Sequence, residues 1–573
     1  MRKPAKKVTK VAEIRIAIVK KYQRLYKFLQ KIDRKSGLYT IGLILAGVIL
    51  LTTSVYAAHH ASDDYSTNSN AHMLTYLFSG HTDYPAVLPG PHATLLIIPL
   101  VYIQGHLPYH YSSFTLVNIA LVVATMFGWA LLMIKLFGRK YEIPILIILS
   151  SLIFTSVAFS YSLAYTTIRN IEYPLVLWFV MIVASVLKGK LFSRKQLIWG
   201  AIGTALFVIT LAGDSFFNYA ILLPLVAVLG WYWVQSRLFT ASMAKALALI
   251  VGSFIGATLL KHILSAAGII TFDYSFWGPN TVLDSARLVP SFSVALRETL
   301  QMHGAYIFNQ IINYHNMAVF VNFGLLLVGL VGLGLIISKT SRSFKNQKGL
   351  DDDSNFVLFV MAISFFVTFL VFAISGYAIA TLSTGQIVSA QNARYISIMP
   401  LITMIAIVWL LKNYYAKHIT LLCVLCLVLI GGIITSHPAV KASYASGSYK
   451  LEISPSRDSI NQIIYYLKKN NVTQVSTDYW YSYPLRFWSN GTINNAAVVN
   501  CTPSMINNAD GPLFTKQKHN TALIIDRGER NYGFWQCSDE QLMQVYGAPS
   551  EMHEVQGAGP NEPVKIWIYK NAQ

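Results

Sequence analysis

Eleven predominantly apolar runs, each 17 to 28 residues long, leave this 573-residue chain few ways to fold. They cover residues 38–58, 113–137, 142–162, 171–187, 197–216, 218–234, 244–269, 318–338, 355–382, 395–411 and 418–436. A run of this length crosses the hydrocarbon core of a bilayer as an α-helix, which satisfies its own backbone N–H and C=O groups where no water can. Charged residues make up 12% of the chain, against roughly a quarter in a soluble protein, and the mean hydropathy is +0.48. Together these exclude a soluble enzyme, a disordered chain and a disulfide-stapled secreted domain. The net charge of +20 does not mark a nucleic-acid binder, because the Lys and Arg residues fall in short clusters between the apolar runs, as cytoplasmic loops do.

Charge placement sets the expected topology. Residues 1–37 form a basic cytoplasmic segment, in which thirteen Lys/Arg face only Glu13 and Asp33. Ile14, Ile18, Tyr22, Leu25 and Leu29 recur at a helical period. This fits either a basic amphipathic helix on the anionic inner leaflet or a disordered arm that only fixes orientation. The basic region is too long for a signal peptide and many runs follow, so the first run is expected to be a retained anchor. With the N-terminus inside, the inner segments carry Arg139/Lys140, Lys188/Lys190/Arg194/Lys195, Arg237/Lys245, Lys339/Arg342/Lys345/Lys348 and Lys412/Lys417. The alternate loops are poorer in Lys/Arg. Eleven spans then put residues 438–573 outside. The expected architecture is an all-α polytopic membrane domain (38–437) of about eleven transmembrane helices, N-terminus in and C-terminus out, followed by a small extracytoplasmic α/β domain (438–573). In the first outer loop, 59–112, residues 93–103 are apolar but too short to span, which predicts an interfacial or re-entrant helix.

The tail changes character. A helical period covers 456–469, and short strands are predicted over 472–477, 496–499, 521–525 and 564–569. Cys501 and Cys537 share the outer compartment and can pair. Cys423 and Cys426 sit in the last apolar run, where packing is the expected role.

Ionisable groups near membrane depth are costly, so their positions carry information. Asp63 and Asp64 lie within six residues of the end of the first run. A carboxylate there can act as general base toward an acceptor hydroxyl or amine, or the pair can simply cap a helix. Arg169 and Glu172 lie before the fourth run. They can bind a phosphate, which suits the planar guanidinium fork, or pair with each other one turn apart. Asp214 closes the fifth run, either lining a cavity or capping the next helix. Arg394 and Tyr395 precede the tenth run, where phosphate contact and interfacial snorkelling are both open. The aromatic segment from Asp478 to Leu485 reads as a strand-to-loop core or as a sugar-stacking surface. His59, His60, His72, His81 and His92 match no zinc spacing. Any divalent cation would sit on Asp63/Asp64 oxygens and a donor phosphate. No dinucleotide or P-loop fingerprint is present.

The order Asp63-Asp64-Tyr65, Ser79-Gly80, Tyr84-Pro85, Pro91-His92, followed by Arg169…Glu172 and Arg394-Tyr395, resembles the GT-C superfamily of membrane glycosyltransferases. The likeness is to its protein mannosyltransferase and aminoarabinose transferase-like families. The chain departs from that pattern with Gly90 in place of the first proline of a Pro-Pro pair, and with Asp64 where Glu is common. The resemblance implies inverting transfer of a sugar from a polyprenyl-phosphate donor to an extracytoplasmic acceptor at a multi-pass plasma-membrane enzyme of bacterial type. Asp63 or Asp64 would be the base, and His92, Arg169, Glu172, Asp214, Arg394 and Tyr395 would hold substrate. Two other classes remain open: a transporter or flippase of a lipid-linked glycan, and a non-catalytic scaffold with an outer binding domain.

Overall fold

The computed structural model describes residues 37–62, 86–89, 95–97, 111–164, 169–189, 193–237, 239–268, 270–273, 285–308, 310–345, 353–375, 392–415, 419–446, 457–477, 481, 485, 488–489, 492–499, 504–505, 520–526, 537–556 and 563–570. Among these, nine helices are long and apolar enough to cross a membrane. They are α1 (Gly37–Ser62), α2 (Tyr111–Phe137), α6 (Arg194–Gly213), α7 (Leu223–Ser236, entered through the π-helical turn Asn218–Leu222), α8 (Ala241–Ala266), α10 (Met317–Lys345), α11 (Asp353–Ile374), α12 (Ile398–Leu410, carried by the helical turns at either end to the 21-residue span Arg394–Tyr414) and α13 (Ile419–Ser446).

The other two apolar runs behave differently from the expected count of eleven. Residues 142–162 form α3 (Glu142–Thr155) and α4 (Val157–Ala164), bent by 92° at Ser156. The hydroxyls of a serine-rich sequence make the break tolerable. Ser156 Oγ–H donates to the Met302 carbonyl at 2.8 Å, and Ser160 Oγ–H donates to the Ile153 carbonyl near the end of α3. Residues 171–187 form α5 (Glu172–Leu187), whose 16 residues span about 24 Å, less than the roughly 30 Å of a hydrocarbon core.

The helices run antiparallel, which gathers the basic loops at one end. Tyr39 O–H near the start of α1 bonds Glu142 at the start of α3 (2.9 Å). At the same end Trp231 of α7 reaches Ser341 of α10 (3.2 Å), and Lys339 reaches Asn413 after α12 (3.3 Å). α12 is buried along its whole length. An added Cβ at Gly329 of α10 would collide with the Thr403 side chain of α12, so glycine is what permits this close approach. The peripheral helices instead expose Leu131, Ile263, Leu427 and Ile434, as lipid-facing surfaces do.

The segment between α8 and α10 is more ordered than a plain loop. It contributes β2 (Ile270–Asp273) and α9 (Ser285–Met302). β2 pairs in parallel with β1 (Ala86–Pro89), in register Ala86 to Ile270, which ties the segment after α1 to the segment after α8. Of the expected interfacial helix at 93–103, a short 3-10 turn, Leu95–Ile97, falls within the described residues.

The tail is an α/β unit. Its six-stranded sheet has the order β5-β4-β3-β6-β8-β7, built from β3 (Val472–Thr477), β4 (Asn494–Val499), β5 (Ser504–Met505), β6 (Asn520–Ile525), β7 (Glu551–Gln556) and β8 (Pro563–Tyr569). β3 runs parallel to both β4 and β6, while β8 runs antiparallel to β6 and β7. Period-2 alternation fills both faces. Ile524, Ile566 and Ile568 pack with Ile460, Ile463 and Leu467 of α14 (Arg457–Lys469). Leu523, Ile525 and Trp567 pack with Leu542 of α15 (Asp539–Tyr546). Cys537 is disulfide-bonded and Cys423 and Cys426 are free; Cys501 lies outside the described residues.

Candidate functional site

Three turns at the end opposite the basic loops converge on one buried nest. The turn before α5 supplies Arg169 and Glu172, the C-terminus of α6 supplies Asp214, and the turn Asn392–Ile396 before α12 supplies Arg394 and Tyr395. Arg169 is 1% exposed, and its guanidinium grips Asp214 with two nitrogens, Nε to Oδ2 at 2.6 Å and Nη2 to Oδ1 at 3.2 Å. The same planar group lies between two rings, 4.3 Å from the centroids of Phe216 and Tyr395. The charge is thus compensated by a bidentate carboxylate and by two aromatic faces, which a desolvated cation requires.

The backbone is strained to achieve this. Arg169 has φ +53°, a left-handed conformation that costs about 1–2 kcal/mol for a residue with a Cβ. Its N–H donates to the Glu172 carboxylate at 3.0 Å, which holds the turn. Glu172 in turn opens α5, where a negative charge meets the positive end of the helix dipole. The expected Arg169–Glu172 partnership therefore runs through the backbone, and the guanidinium goes to Asp214. Asp214 also accepts the Phe216 N–H at 2.9 Å, so it caps the turn toward α7 as well. A third nitrogen, Arg169 Nη1, has no hydrogen-bond partner among the described residues.

Next to this pair, Tyr173 O–H meets Ser397 Oγ, whose own hydrogen goes to the Arg394 carbonyl at 2.7 Å. Arg394 is half-buried, and its guanidinium lies 5.3 Å from the Tyr395 ring. Tyr395 therefore carries one arginine on its ring and a second nearby. α1 ends on the same side, with His60 packed 4.1 Å from Tyr56 and 5.4 Å from Tyr444 of α13. Asp63, Asp64 and His92 lie outside the described residues.

Two further polar groups went unnoticed in the sequence. α9 packs on α11, α4 and the Asn392–Ile396 turn, with its amphipathicity turned inward. Ser291, Glu298 and Thr299 are buried while Leu288, Val289, Phe292 and Leu296 are exposed. Neither oxygen of Glu298 has a hydrogen-bond partner among the described residues, and burial pushes its carboxyl up to about 7, with Arg297 opposing the shift. His303 follows the same helix. Its Nδ1–H donates to the Thr299 carbonyl at 2.7 Å and Nε2 meets the Thr403 hydroxyl at 2.9 Å. Burial pulls its ring down to about 4, against the opposing Thr299 hydrogen bond, and leaves it neutral at physiological pH. The reversed stripe of α9 was the available signal, masked by treating 270–317 as a connecting loop.

No group of three or more His, Cys, Asp or Glu able to hold a metal occurs among the described residues. No protein-family model matches the chain, and no curated protein matches it either.

Proposed function

We propose that the chain is a membrane glycosyltransferase that moves a sugar from a polyprenyl-phosphate carrier to an acceptor on the extracytoplasmic face of the plasma membrane. Asp63 or Asp64 takes the acceptor's proton as its oxygen or nitrogen attacks the anomeric carbon. The bond from that carbon to the phosphate oxygen breaks, and polyprenyl phosphate leaves with the electron pair. One displacement inverts the anomeric centre. Arg394, at the rim, contacts the donor phosphate, and Arg169 Nη1 is the donor left for an anionic oxygen. Through Asp214 and the two rings, the rest of Arg169 acts as a positioning residue that holds the Tyr395–Arg394 turn.

The observation that carries this reading is the meeting of Arg169, Glu172, Asp214, Arg394 and Tyr395, residues drawn from three distant turns, at the end of the bundle where α1 finishes at Ser62. The decisive experiment uses the full chain in proteoliposomes with synthetic polyprenyl-phosphate sugars and follows release of polyprenyl phosphate. Asp63→Asn or Asp64→Asn is expected to lower transfer by about 10²–10⁴-fold with unchanged folding. Wild-type rates in both variants would sink the enzyme reading.

A second reading, a flippase for a lipid-linked glycan, draws on the 92° break at Ser156, because broken spans are a transporter feature. The same proteoliposomes separate the two. A flippase moves the labelled lipid across the bilayer with its sugar intact.

A further inference from the structure

A recess opens on the flank of the bundle between α2, α5 and α6, with α8 and α11 at its back. Its volume is about 1520 Å³, beyond the roughly 300–1,000 Å³ of a small-molecule pocket. It follows α5 from Pro174 to Lys188, a rise of about 21 Å along the helix. Its walls are apolar, including Leu132, Trp178 and Ile182, and its lips Leu131, Leu197 and Trp199 are exposed on the lipid-facing surface.

Charge is distributed unevenly along this trough. Lys135 at the end of α2, Lys188 after α5 and Lys195 at the start of α6 all line it, and all three lie at the basic end of the bundle. No Asp or Glu is among its lining residues within the described part of the chain. The shortness of α5 contributes, because a helix that ends early brings its flanking lysine to the level of the trough.

We propose that this recess is a binding site for an anionic glycerophospholipid of the leaflet at the basic end, which the positive-inside rule makes the cytoplasmic one. The phosphate sits among Lys135, Lys188 and Lys195, and the acyl chains lie along Leu132, Trp178 and Ile182. A polyprenyl-phosphate donor does not fit this polarity, since its phosphate belongs at the opposite end. The exclusion of a polyprenyl phosphate rests on the transferase reading; the anionic-lipid site itself does not.

Native mass spectrometry of the purified full chain, titrated with phosphatidylglycerol or phosphatidylcholine, tests it. Phosphatidylglycerol is expected to bind more tightly, and each Lys→Ala change at 135, 188 or 195 to weaken it about fivefold without altering phosphatidylcholine. Gly200→Leu probes the tail path. An added Cβ there meets nothing within 4 Å, so helix packing is spared while the side chain enters the trough and both lipids are lost. Should Lys188→Ala fail to fold, the single variants at the exposed Lys135 and Lys195 carry the comparison. Equal binding of the two lipids, or indifference to Gly200→Leu, overturns the proposal. Loss with Gly200→Leu but not with the lysine changes also overturns it, pointing to an uncharged or oppositely oriented chain.

Discussion

The two ends of the membrane bundle use charge in opposite ways. At the basic end, lysines and arginines are many and exposed, and such bonds as Lys339 to Asn413 lie open to solvent. At the other end the described charges are fewer, and the Arg169–Asp214 pair among them is buried, each side chain 1% exposed. Exposed cations orient a chain in the membrane at little energetic consequence per residue. Buried ones survive only with tailored partners, so they lock three separate turns into one geometry. The contrast teaches that abundance of charge marks topology, whereas burial of charge marks the place where the fold has been made to hold something.

Breaking the buried pair from one side tests this contrast most severely. Asp214→Ala leaves the Arg169 cation uncompensated and is expected to cost about 3–5 kcal/mol, read from the unfolding midpoint in detergent. The double change Arg169→Met/Asp214→Leu is expected to recover most of that loss, because removing both charges removes the penalty. A full loss in the double variant would mean that the turns, not the ion pair, hold the nest.

Glu298 sharpens the comparison through pH. Burial raises its folded carboxyl from 4.5 to about 7, so the folded state keeps a proton that the unfolded state has lost. This contribution is fully present below pH 4.5 and fades as pH climbs through about 7. Glu298→Gln is expected to flatten the dependence over that window and to exceed the parent by about 3 kcal/mol above it. Parallel pH profiles for parent and variant would remove Glu298 from the buried-charge group.

A smaller effect is expected at Gly304, where φ is +62° and a Cβ would stand 3.0 Å from the Thr155 carbonyl oxygen. Gly304→Ala should cost about 1–3 kcal/mol and loosen the seat of His303 beside the Ser156 break. Smallest of all, Lys339→Ala at the basic end should stay within about 0.5 kcal/mol of the parent. A large loss there would erase the distinction between the two ends.

The membrane helices were legible because a long apolar run announces itself without any need to know its neighbours. Nine of the runs correspond to long apolar helices on that basis. The break at Ser156 was not legible, since residues 142–162 stay apolar throughout and the cause lies in carbonyls of residues 301 and 302, far along the chain. The tail strands β3, β4, β6 and β8 were readable from β-branched alternation. β7 was not, because Glu551, His553 and Glu554 hide its pattern. For the site, motif order singled out Arg169, Glu172, Arg394 and Tyr395, membrane depth singled out Asp214, and the structure brings these together. The Arg169–Asp214 partnership itself spans 45 residues and two helices, a pairing that local spacing cannot reveal. α9 escaped because its polar stripe faces inward, the reverse of a soluble helix.

The parallel pairing of Ala86–Pro89 with Ile270–Asp273 also sets a schedule. Its second strand leaves the ribosome roughly 180 residues after the first, a delay of about 10–40 s at typical synthesis rates of 5–20 residues per second. During that interval the earlier strand must wait without its partner. Any factor that guards unpaired nascent segments would meet it then, before the clasp between the two loops can close.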